Sequence, residues 1–587
     1  MDKDWIKQVD VRRRRYASLT WIPLYLNRER ATGVYGELGH VKDDEAVRTV
    51  AIHLDKRGEL EGLGFVDLPY THGPSTWEGY TAYDIRRSDE GEEQGVYLAL
   101  QQSFDGDSPG LWSLNQDFVF ALNLTQEGDV WVRPSEGFDE VAKIERNKNG
   151  EVEAILVRPE YLKDYLAARS MALMIGSYRE RRWIVSDLSD LPYEEDNDGE
   201  TTDEFGRHNF YVRSIVSGGF PYGGGVAVFN ASRTDTWDDD EIPILGPETA
   251  ENTLSSQTHF TREGEKLFSL SSERRLTEWL EPAAVSARVR RDDVPSATYF
   301  LIDAQGSQTN ADKLNFEEVG LWLFFRPTVI SDILSRRGSS IRWHTRFTAN
   351  VALAGGIPIH FGTNKADLVV VYARDIARQP EWQRKIWAAY NVVPEGGLGE
   401  ELHAAQVRAR PADTLAPEGY IAKALEAANN AFKTRWGVSL LREHQDTTEI
   451  ISGSHRFRSL DQSGFLSLAK DLARLSADLI DQKVLHTIAA PNQGQGTGSL
   501  RSLERVLATV VNATEARRLT SKLVGIYELR LGDAHLPSSK LEEAMTLVEI
   551  PQEDSWLLKG AYMIHQFVSS FYSIAEAVSV DSKATSR

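Results

Sequence analysis

The helical part of the fold is decided by the sequence Tyr527-Glu528-Leu529-Arg530-Leu531-Gly532-Asp533-Ala534-His535-Leu536-Pro537, which follows a long helical pattern. Upstream of it, apolar residues recur every three or four positions, as expected of an amphipathic helix: Ala516, Leu519, Leu523 and Ile526. Gly532 favours the end of a helix, and Pro537 prevents the same helix from continuing. The sequence therefore predicts a helix that closes at Arg530, with His535 just beyond its end.

Arg530 and His535 together have the chemistry of a phosphodiester-cleaving pair. An arginine guanidinium is always charged and binds phosphate with a planar fork of donors, whereas a histidine changes protonation near neutral pH. The same Arg-x4-His spacing occurs at Arg48 to His53, within an alternating apolar run that predicts a strand. Because that run offers no helix end, we expect only the C-terminal pair to form such a site.

The sequence after residue 417 is helical almost throughout. Further apolar stripes with helical spacing run through Ile421 to Phe432, Phe465 to Leu479, Leu500 to Val510, and Met563 to Val578. Four to five such helices predict a bundle with one common core. The Gly- and Pro-rich stretch at 394–417 predicts a connection before it, with a boundary near 405–415.

This helical region, with Arg-x4-His at the end of its penultimate long helix, resembles the HEPN superfamily of small helical toxin and antiviral ribonucleases. The resemblance implies that Arg530 holds the scissile phosphate and that His535 transfers the proton of the RNA 2′-hydroxyl or of the leaving 5′-oxygen. Asp533, the polar residue inside the motif, would either orient His535 or only cap the helix. It also implies a homodimer or larger even-numbered assembly, and cleavage that needs no metal and no cofactor.

The region also departs from the HEPN pattern. Leu531 follows the arginine where the family commonly has a polar residue, and Pro537 stands where one variant has a tyrosine. Non-catalytic HEPN domains act as dimerisation or scaffold modules, and an unrelated helix bundle is a further alternative. In either of those cases, Arg530 and His535 would only bond the unpaired carbonyls of a helix end.

The charge is distributed unevenly along the chain. The net charge is -21, but residues 411–587 hold 19 Lys and Arg against 21 Asp and Glu, a net of -2. The helix that leads to Arg530 is locally basic, and we predict that Arg517, Arg518 and Lys522 bind RNA. The alternative is an ordinary solvated helix face. Acidic clusters at 187–204 and 235–241 lack the spacing of a Ca²⁺ loop, so we predict solvated loops and no metal site.

Residues 20–160 predict mainly strands, and residues 210–400 predict alternating strands and helices. Asn149-Gly150 predicts a tight hairpin between strands at 141–145 and 152–157. Glu127-Gly128-Asp129 predicts another, between strands at 118–124 and 130–132. We divide the chain into a β-rich domain at 1–175, a mixed α/β domain with acidic loops at 176–405, and the HEPN-like helical domain at 411–587. The expected fold class is therefore α+β and multidomain, with an all-α C-terminal bundle.

Several function classes are disfavoured by composition. Cysteine is absent, no apolar run is long enough to span a membrane, and the N-terminus has no signal-peptide pattern. We therefore expect a cytoplasmic protein without membrane partners. Large chains of this plan resemble bacterial abortive-infection proteins, which implies an anti-phage endoribonuclease controlled by an N-terminal sensing region and a phage-derived trigger or partner protein. The alternative is a non-catalytic scaffold or sensor subunit whose bundle only dimerises or binds a partner.

Overall fold

The chain separates into two compact units. The computed structural model describes residues 16–60, 95–102, 111–189, 191, 194–203, 206–217, 227–233, 253–259, 265–315, 321–410, 412–491, 498–531 and 538–579. Unit 1 contains Met1–Pro134 and Asp139–Val294, and unit 2 contains Ser135–Phe138 and Pro295–Arg587.

Unit 1 is built mainly of antiparallel strands. The strands are β1 (Ile22–Thr32), β2 (Val41–His53), β3 (Ala99–Gln102), β4 (Leu111–Leu114), β5 (Thr125–Glu127), β6 (Val130–Arg133), β7 (Asp139–Arg146), β8 (Val152–Val157), β9 (Met171–Val185), β10 (Asp198–Asp203), β11 (Gly206–Val216), β12 (Ala227–Arg233), β13 (Thr253–His259) and β14 (Lys266–Leu280). The helices are α1 (Gln116–Ala121) and α2 (Pro159–Arg169). Within the described ranges, ten strands form one sheet in the order β10-β11-β14-β9-β2-β1-β8-β7-β6-β5.

Local turn chemistry explains the hairpins of unit 1. The predicted turn at Asn149-Gly150 joins β7 to β8, and Gly150 has a φ of 84°, which glycine adopts without strain. The predicted strand at 118–124 is wrong, because most of this segment forms α1. The Asn115 side chain accepts a hydrogen bond from the backbone N–H of Asp117 at 2.9 Å and caps that helix. The Phe118 side chain is buried, so the apolar run contributes to the buried face of α1.

Unit 2 combines a smaller sheet with a helical region. Its strands are β15 (Tyr299–Leu301), β16 (Gln308–Asn310), β17 (Trp322–Phe325), β18 (Ser340–Trp343), β19 (Thr348–Ala352), β20 (Ile359–Thr363), β21 (Val369–Tyr372) and β22 (Asn391–Val392). Its helices are α3 (Thr328–Ser335), α4 (Ala373–Ala377), α5 (Glu381–Tyr390), α6 (Glu400–Gln406), α7 (Ile421–Trp436), α8 (Thr447–Gly453), α9 (Gln462–Ala473), α10 (Gln482–Ile488), α11 (Ser499–Leu507), α12 (Ala513–Leu531), α13 (Ser538–Leu547) and α14 (Trp556–Ser579).

The helical core of unit 2 is formed by the predicted apolar stripes. Phe432, Leu468, Leu503, Leu523 and Phe567, from five different helices, are all fully buried in one cluster. The α+β class, with a sheet-rich N-terminal part and a helical C-terminal part, is confirmed, whereas a HEPN-like bundle stays a prediction. Eight α-helices lie between 421 and 579 in the described residues, more than the four to five predicted, because the short ones carry no long stripe. Among the helices that the structure describes, none is both long and apolar enough to cross a membrane.

The two units differ from the three predicted segments. The predicted boundary at 175 falls inside β9, which pairs with β2 over 171–183 and with β14 over 173–185. The Gly- and Pro-rich stretch at 394–417 contains α6, whose Leu402 packs on Gly362 of β20. Phe457 and Leu557, from the helical part, also belong to the core of the six-stranded sheet β18-β19-β20-β21-β17-β22. The helical part of unit 2 therefore packs directly on the sheet through these two residues.

A buried ion pair lies where this sheet meets the helices. Arg456, only 1% exposed, donates from Nε and Nη2 to the two carboxylate oxygens of Glu418 at 2.6 and 2.8 Å. Its Nη1 donates to the backbone carbonyl of Arg346 at 2.9 Å, and its guanidinium lies 4.6 Å from the Trp343 ring centroid. The Arg456 side chain therefore joins a turn of the helical part to the β18–β19 hairpin.

The Arg456–Glu418 pair predicts a large stability effect. Arg456→Ala should lower the free energy of unfolding of unit 2 by about 3–5 kcal/mol, because it leaves the Glu418 carboxylate buried without a partner. Arg518→Ala, which breaks a fully exposed pair with Glu515, should lower it far less. Urea unfolding followed by far-ultraviolet circular dichroism reports mainly the helices of unit 2. Equal losses in the two variants would contradict a structural role for the buried pair.

Candidate functional site

Of the three residues in the predicted catalytic motif, the structure describes Arg530. Arg530 lies in the last turn of α12, as the sequence predicted. Asp533 and His535 lie outside the described residues, within the interval 532–537 that separates α12 from α13. The geometry of the site is therefore read from Arg530 and its neighbours.

Arg530 is held by an aspartate from another helical segment. A single nitrogen, Nη1, donates to both carboxylate oxygens of Asp478 at 2.7 and 2.8 Å. The Arg530 side chain is 30% exposed, and its guanidinium lies 5.8 Å from the Tyr527 ring centroid. Among the described residues no other acceptor binds this guanidinium. Since a guanidinium has five N–H donors, three of them have no acceptor in the part of the chain that the structure describes.

The segment that carries Asp478 is itself unusual. Residues Arg474–Asp478 form a π-helical turn at the end of α9, and such turns occur frequently at functional sites. The backbone carbonyl of Asp478 accepts a hydrogen bond from the exposed guanidinium of Arg442. Two arginines therefore converge on Asp478, with Arg530 at its carboxylate and Arg442 at its carbonyl. Asp478 and Arg442 were missed by the sequence reasoning, because no local motif connects them to Arg530.

The predicted RNA-binding residues do not all face the same way. Arg517 and Arg518 are exposed on α12, and Arg518 binds Glu515 through two nitrogens at 2.6 and 2.8 Å. Lys522 instead turns toward α14, where its Nζ lies 2.7 Å from Gln566 Oε1 and 2.9 Å from Glu549 Oε2. The structure gives no contact between any of these three and Arg530.

Comparison of the chain with family models, curated proteins and solved structures finds no match. What the site can do must follow from its own residues. Arg530 and Arg442 both bind Asp478, whose carboxylate balances one of their two positive charges. This arrangement suits a phosphate group, which accepts several hydrogen bonds from guanidinium donors.

The acidic clusters form ordinary ion pairs where the structure describes them. Glu195 binds Lys266 at 2.8 Å, Glu200 binds Arg207 at 2.7 Å, and Asp198 binds Arg213. In the residues that the structure describes, no group of three or more His, Asp or Glu side chains is arranged to hold a metal ion. The second acidic cluster, at 235–241, lies outside the described residues.

A separate cleft of about 560 Å³ lies elsewhere in unit 2. It is lined by Ser340 and Ile341 of β18, by Ser452 and His455, and by the ion pair between Arg458 and Asp471. His455 is buried, and its Nδ1 has no hydrogen-bond partner in the described part of the chain. Burial lowers the pKa of the His455 imidazole from 6.5 to about 4. His455 is therefore a neutral core histidine at pH 7.

The lowered pKa of His455 predicts a pH-dependent stability. Below pH 6.5 the unfolded chain binds a proton that the folded chain does not bind until the pH falls to about 4. His455 should therefore contribute a loss of unfolding free energy of roughly 1.4 kcal/mol per pH unit as the pH falls through this window. His455→Gln should make the pH profile of unit 2 flatter by that amount. Ser452→Ala, at the same cleft but not titratable, should leave the slope unchanged, and equal slopes in all three proteins would refute the assignment.

Proposed function

We propose that this chain is an anti-phage defence protein whose C-terminal helical part cleaves RNA without a metal ion. In this proposal Arg530 binds the scissile phosphate, His535 transfers protons, and Asp533 orients His535. The observation that supports this proposal is the hydrogen bonding of the Arg530 guanidinium. Its guanidinium is fixed at a helix end by Asp478 through one nitrogen, and its three other donors have no protein acceptor in the described residues.

The proposed reaction is an internal transesterification of RNA. Neutral His535 removes the proton of the 2′-hydroxyl, and the 2′-oxygen attacks the adjacent phosphorus. The bond from phosphorus to the 5′-oxygen breaks, and that oxygen takes a proton from a protonated histidine. The products are a 2′,3′-cyclic phosphate and a 5′-hydroxyl. Charge that develops on the phosphoryl oxygens is stabilised by Arg530, with Arg442 as a second cation nearby.

A homodimer, or a larger even-numbered assembly, would supply both histidine forms. One His535 acts as base while the His535 of a second copy acts as acid, which a two-fold contact provides from one motif. We further propose that the N-terminal region responds to a phage-derived trigger or partner protein in the cytoplasm and restrains the nuclease until then. This control is needed because unrestrained RNA cleavage harms the host.

One observation favours the alternative, a non-catalytic scaffold or sensor subunit. The bidentate pair with Asp478 is a sufficient structural role for Arg530, since it links the end of α12 to the π-helical turn. In that case the helical part only dimerises or binds a partner. The dimer would still be present by light scattering, but the wild-type protein would leave RNA intact.

The catalytic assignment predicts the behaviour of two variants. In the full-length protein, His535→Ala should reduce RNA cleavage about 10²–10⁴-fold, because it removes the acid–base group. Arg530→Ala should reduce cleavage comparably while leaving the fold intact, since its ion pair is partly exposed. Arg146→Ala breaks a similarly exposed pair, with Asp129, in unit 1 and serves as the control. Cleavage at the wild-type rate by folded His535→Ala protein would end the ribonuclease proposal.

The proposed site also predicts the response to metal removal. Cleavage should be unchanged by EDTA, because the two protonation states of histidine and the arginine charge carry the reaction without a Lewis acid. The measurement is the rate of cleavage of a labelled RNA before and after chelation, with the product ends identified by their reaction with phosphatase and kinase. Loss of cleavage in EDTA with rescue by Mg²⁺ would direct attention to the acidic segments 187–204 and 235–241.

A further inference from the structure

The cleft of about 560 Å³ in unit 2 borders the outer edge of the six-stranded sheet. β18 is the first strand in the order of that sheet, and among the described strands it pairs only with β19. The backbone N–H of His344 donates to the Thr348 carbonyl at 3.0 Å, so these residues form a hydrogen-bonded pair of the hairpin. Hydrogen-bonded pairs alternate along an antiparallel ladder, so Arg342 and Ser340 also direct their backbone groups to β19. The N–H and C=O of Ile341 therefore point away from β19.

The outward backbone groups of Ile341 have no hydrogen-bond partner in the part of the chain that the structure describes. Ser339, Ser340 and Ile341 all line the cleft, so this unpaired edge lies next to an open volume. An unpaired strand edge is a template for a further strand, whose backbone supplies the missing donor and acceptor. β18 is only four residues long, which suits a short segment of chain better than a second long sheet edge.

The rest of the cleft wall comes largely from the helical part of unit 2. Ile450 of α8 is half-buried and, together with Ile341 and Leu334, gives the cleft an apolar portion. His455 lies in the same wall, is 6% exposed, and has an Nδ1 without a hydrogen-bond partner among the described residues. A buried polar atom without a partner is unfavourable, and a ligand that hydrogen bonds the imidazole would offset that cost. The wall therefore suits a ligand that has apolar groups as well as hydrogen-bonding groups.

Carboxylates outnumber guanidinium groups in the lining of the cleft. Arg458 forms an ion pair with Asp471. The Arg474 guanidinium lies 3.5 Å from Asp471 and 3.7 Å from Asp446. Glu449 is exposed, and its carboxylate has no ion-pair partner among the described residues. Three carboxylates thus face two guanidinium groups, and the carboxylate without a partner is the one that complements a cationic ligand group.

We propose that the cleft binds an extended peptide segment of a partner protein, which adds to β18 as a further strand and places a lysine or arginine side chain at Glu449. The peptide backbone would pair with the N–H and C=O of Ile341, and one of its polar groups would hydrogen bond His455. Apolar side chains of the peptide would pack on Ile341 and Ile450. The inference goes beyond the proposed ribonuclease, because it rests on residues that the proposed reaction does not use.

The test measures peptide binding by the full-length protein. The probes are two pools of short synthetic peptides, labelled with fluorescein and amidated at the C-terminus. The central residue is lysine in one pool and glutamate in the other, and the flanking positions hold mixtures of valine and threonine, which favour the extended conformation. Binding is followed by fluorescence anisotropy. The wild type should bind the lysine pool about fivefold more tightly than the glutamate pool, because the central side chain meets the Glu449 carboxylate. Equal binding of the two pools would overturn the proposal.

A charge reversal locates the binding site. Glu449→Lys should remove or reverse the preference for the lysine pool, because the charge opposite the central side chain changes sign. The matched control is Glu443→Lys, which reverses an exposed carboxylate outside the lining of the cleft and so has the same net charge. The control should keep the wild-type preference. The same preference in both variants would overturn the placement of the peptide in this cleft.

Backbone methylation tests the addition of a strand. In an antiparallel or parallel ladder only every second N–H of the peptide points to β18. The lysine pool is therefore made in two further forms, methylated at the backbone nitrogens of the odd or of the even positions. One form should bind at least about tenfold more weakly than the unmethylated pool, and the other should bind like it. Equal effects of the two patterns would show binding through side chains alone and would overturn the proposal.

Two further measurements separate this proposal from its competitors. Light scattering is recorded with and without the lysine pool, and the assembly should keep its mass as the peptide binds. Dissociation of the assembly by the peptide would overturn the proposal in favour of a second copy of the chain at the edge of β18. His535→Ala should bind the lysine pool like the wild type. The outcome for the peptide site is therefore independent of whether the wild type cleaves RNA.

Discussion

The buried Arg456–Glu418 pair is the constraint on which the arrangement of unit 2 depends. Two charges with 1% and 9% of their surface exposed are unfavourable to bury unless each is fully satisfied. Arg456 meets this condition with three nitrogens, of which two bind Glu418 and one binds the Arg346 carbonyl. The pair therefore tolerates only one position of the helical part against the β18–β19 hairpin. Phe457, the next residue, fills the core of the sheet in that position.

This constraint also determines which surface groups become neighbours. A hydrogen bond from the buried Arg456 side chain holds the backbone carbonyl of Arg346, and the Arg346 side chain lies next to Tyr562 of α14. Without that anchor the hairpin could shift relative to α14. A buried interaction that touches no ligand thus holds together a surface whose residues are separated by about 200 positions in the sequence.

Local patterns predicted the elements of the fold better than its divisions. The helix predicted from the stripe Ile421 to Phe432 and the hairpin at Asn149-Gly150 were predicted correctly, since helical periodicity and turn chemistry act over a few residues. The segment at 118–124 was predicted as a strand because its continuous apolar run is compatible with a strand as well as with a helix. The Asn115 side chain caps the first turn and so favours the helix. The segment at 394–417 has the composition of a linker, yet α6 packs on the sheet. Amino-acid composition indicates where the chain turns, but it does not indicate which helices and strands pack into a common core.

The same limit applies to the candidate site. The end of α12 at Arg530 follows from its stripe and from Gly532, but Asp478 lies 52 residues away and becomes a neighbour only through tertiary packing. The buried partners of Arg456 are likewise distant in sequence, so no local sequence motif predicts them. Sequence reasoning finds residues whose chemistry is suggestive. It does not find the residues that hold them, which are recruited by packing from other elements.

Asp478 gives Arg530 a property that a free arginine would lack. Asp478 binds one nitrogen of the guanidinium and fixes its orientation, while the other donors have no acceptor in the described residues. In the proposed reaction, the phosphodiester would bind those other donors. The transition state of transesterification carries additional charge on the phosphoryl oxygens, so it would bind them more strongly than the ground state does. Since only interactions that strengthen in the transition state accelerate a reaction, the contribution of Asp478 to the proposed reaction would be to hold Arg530 in position for that charge.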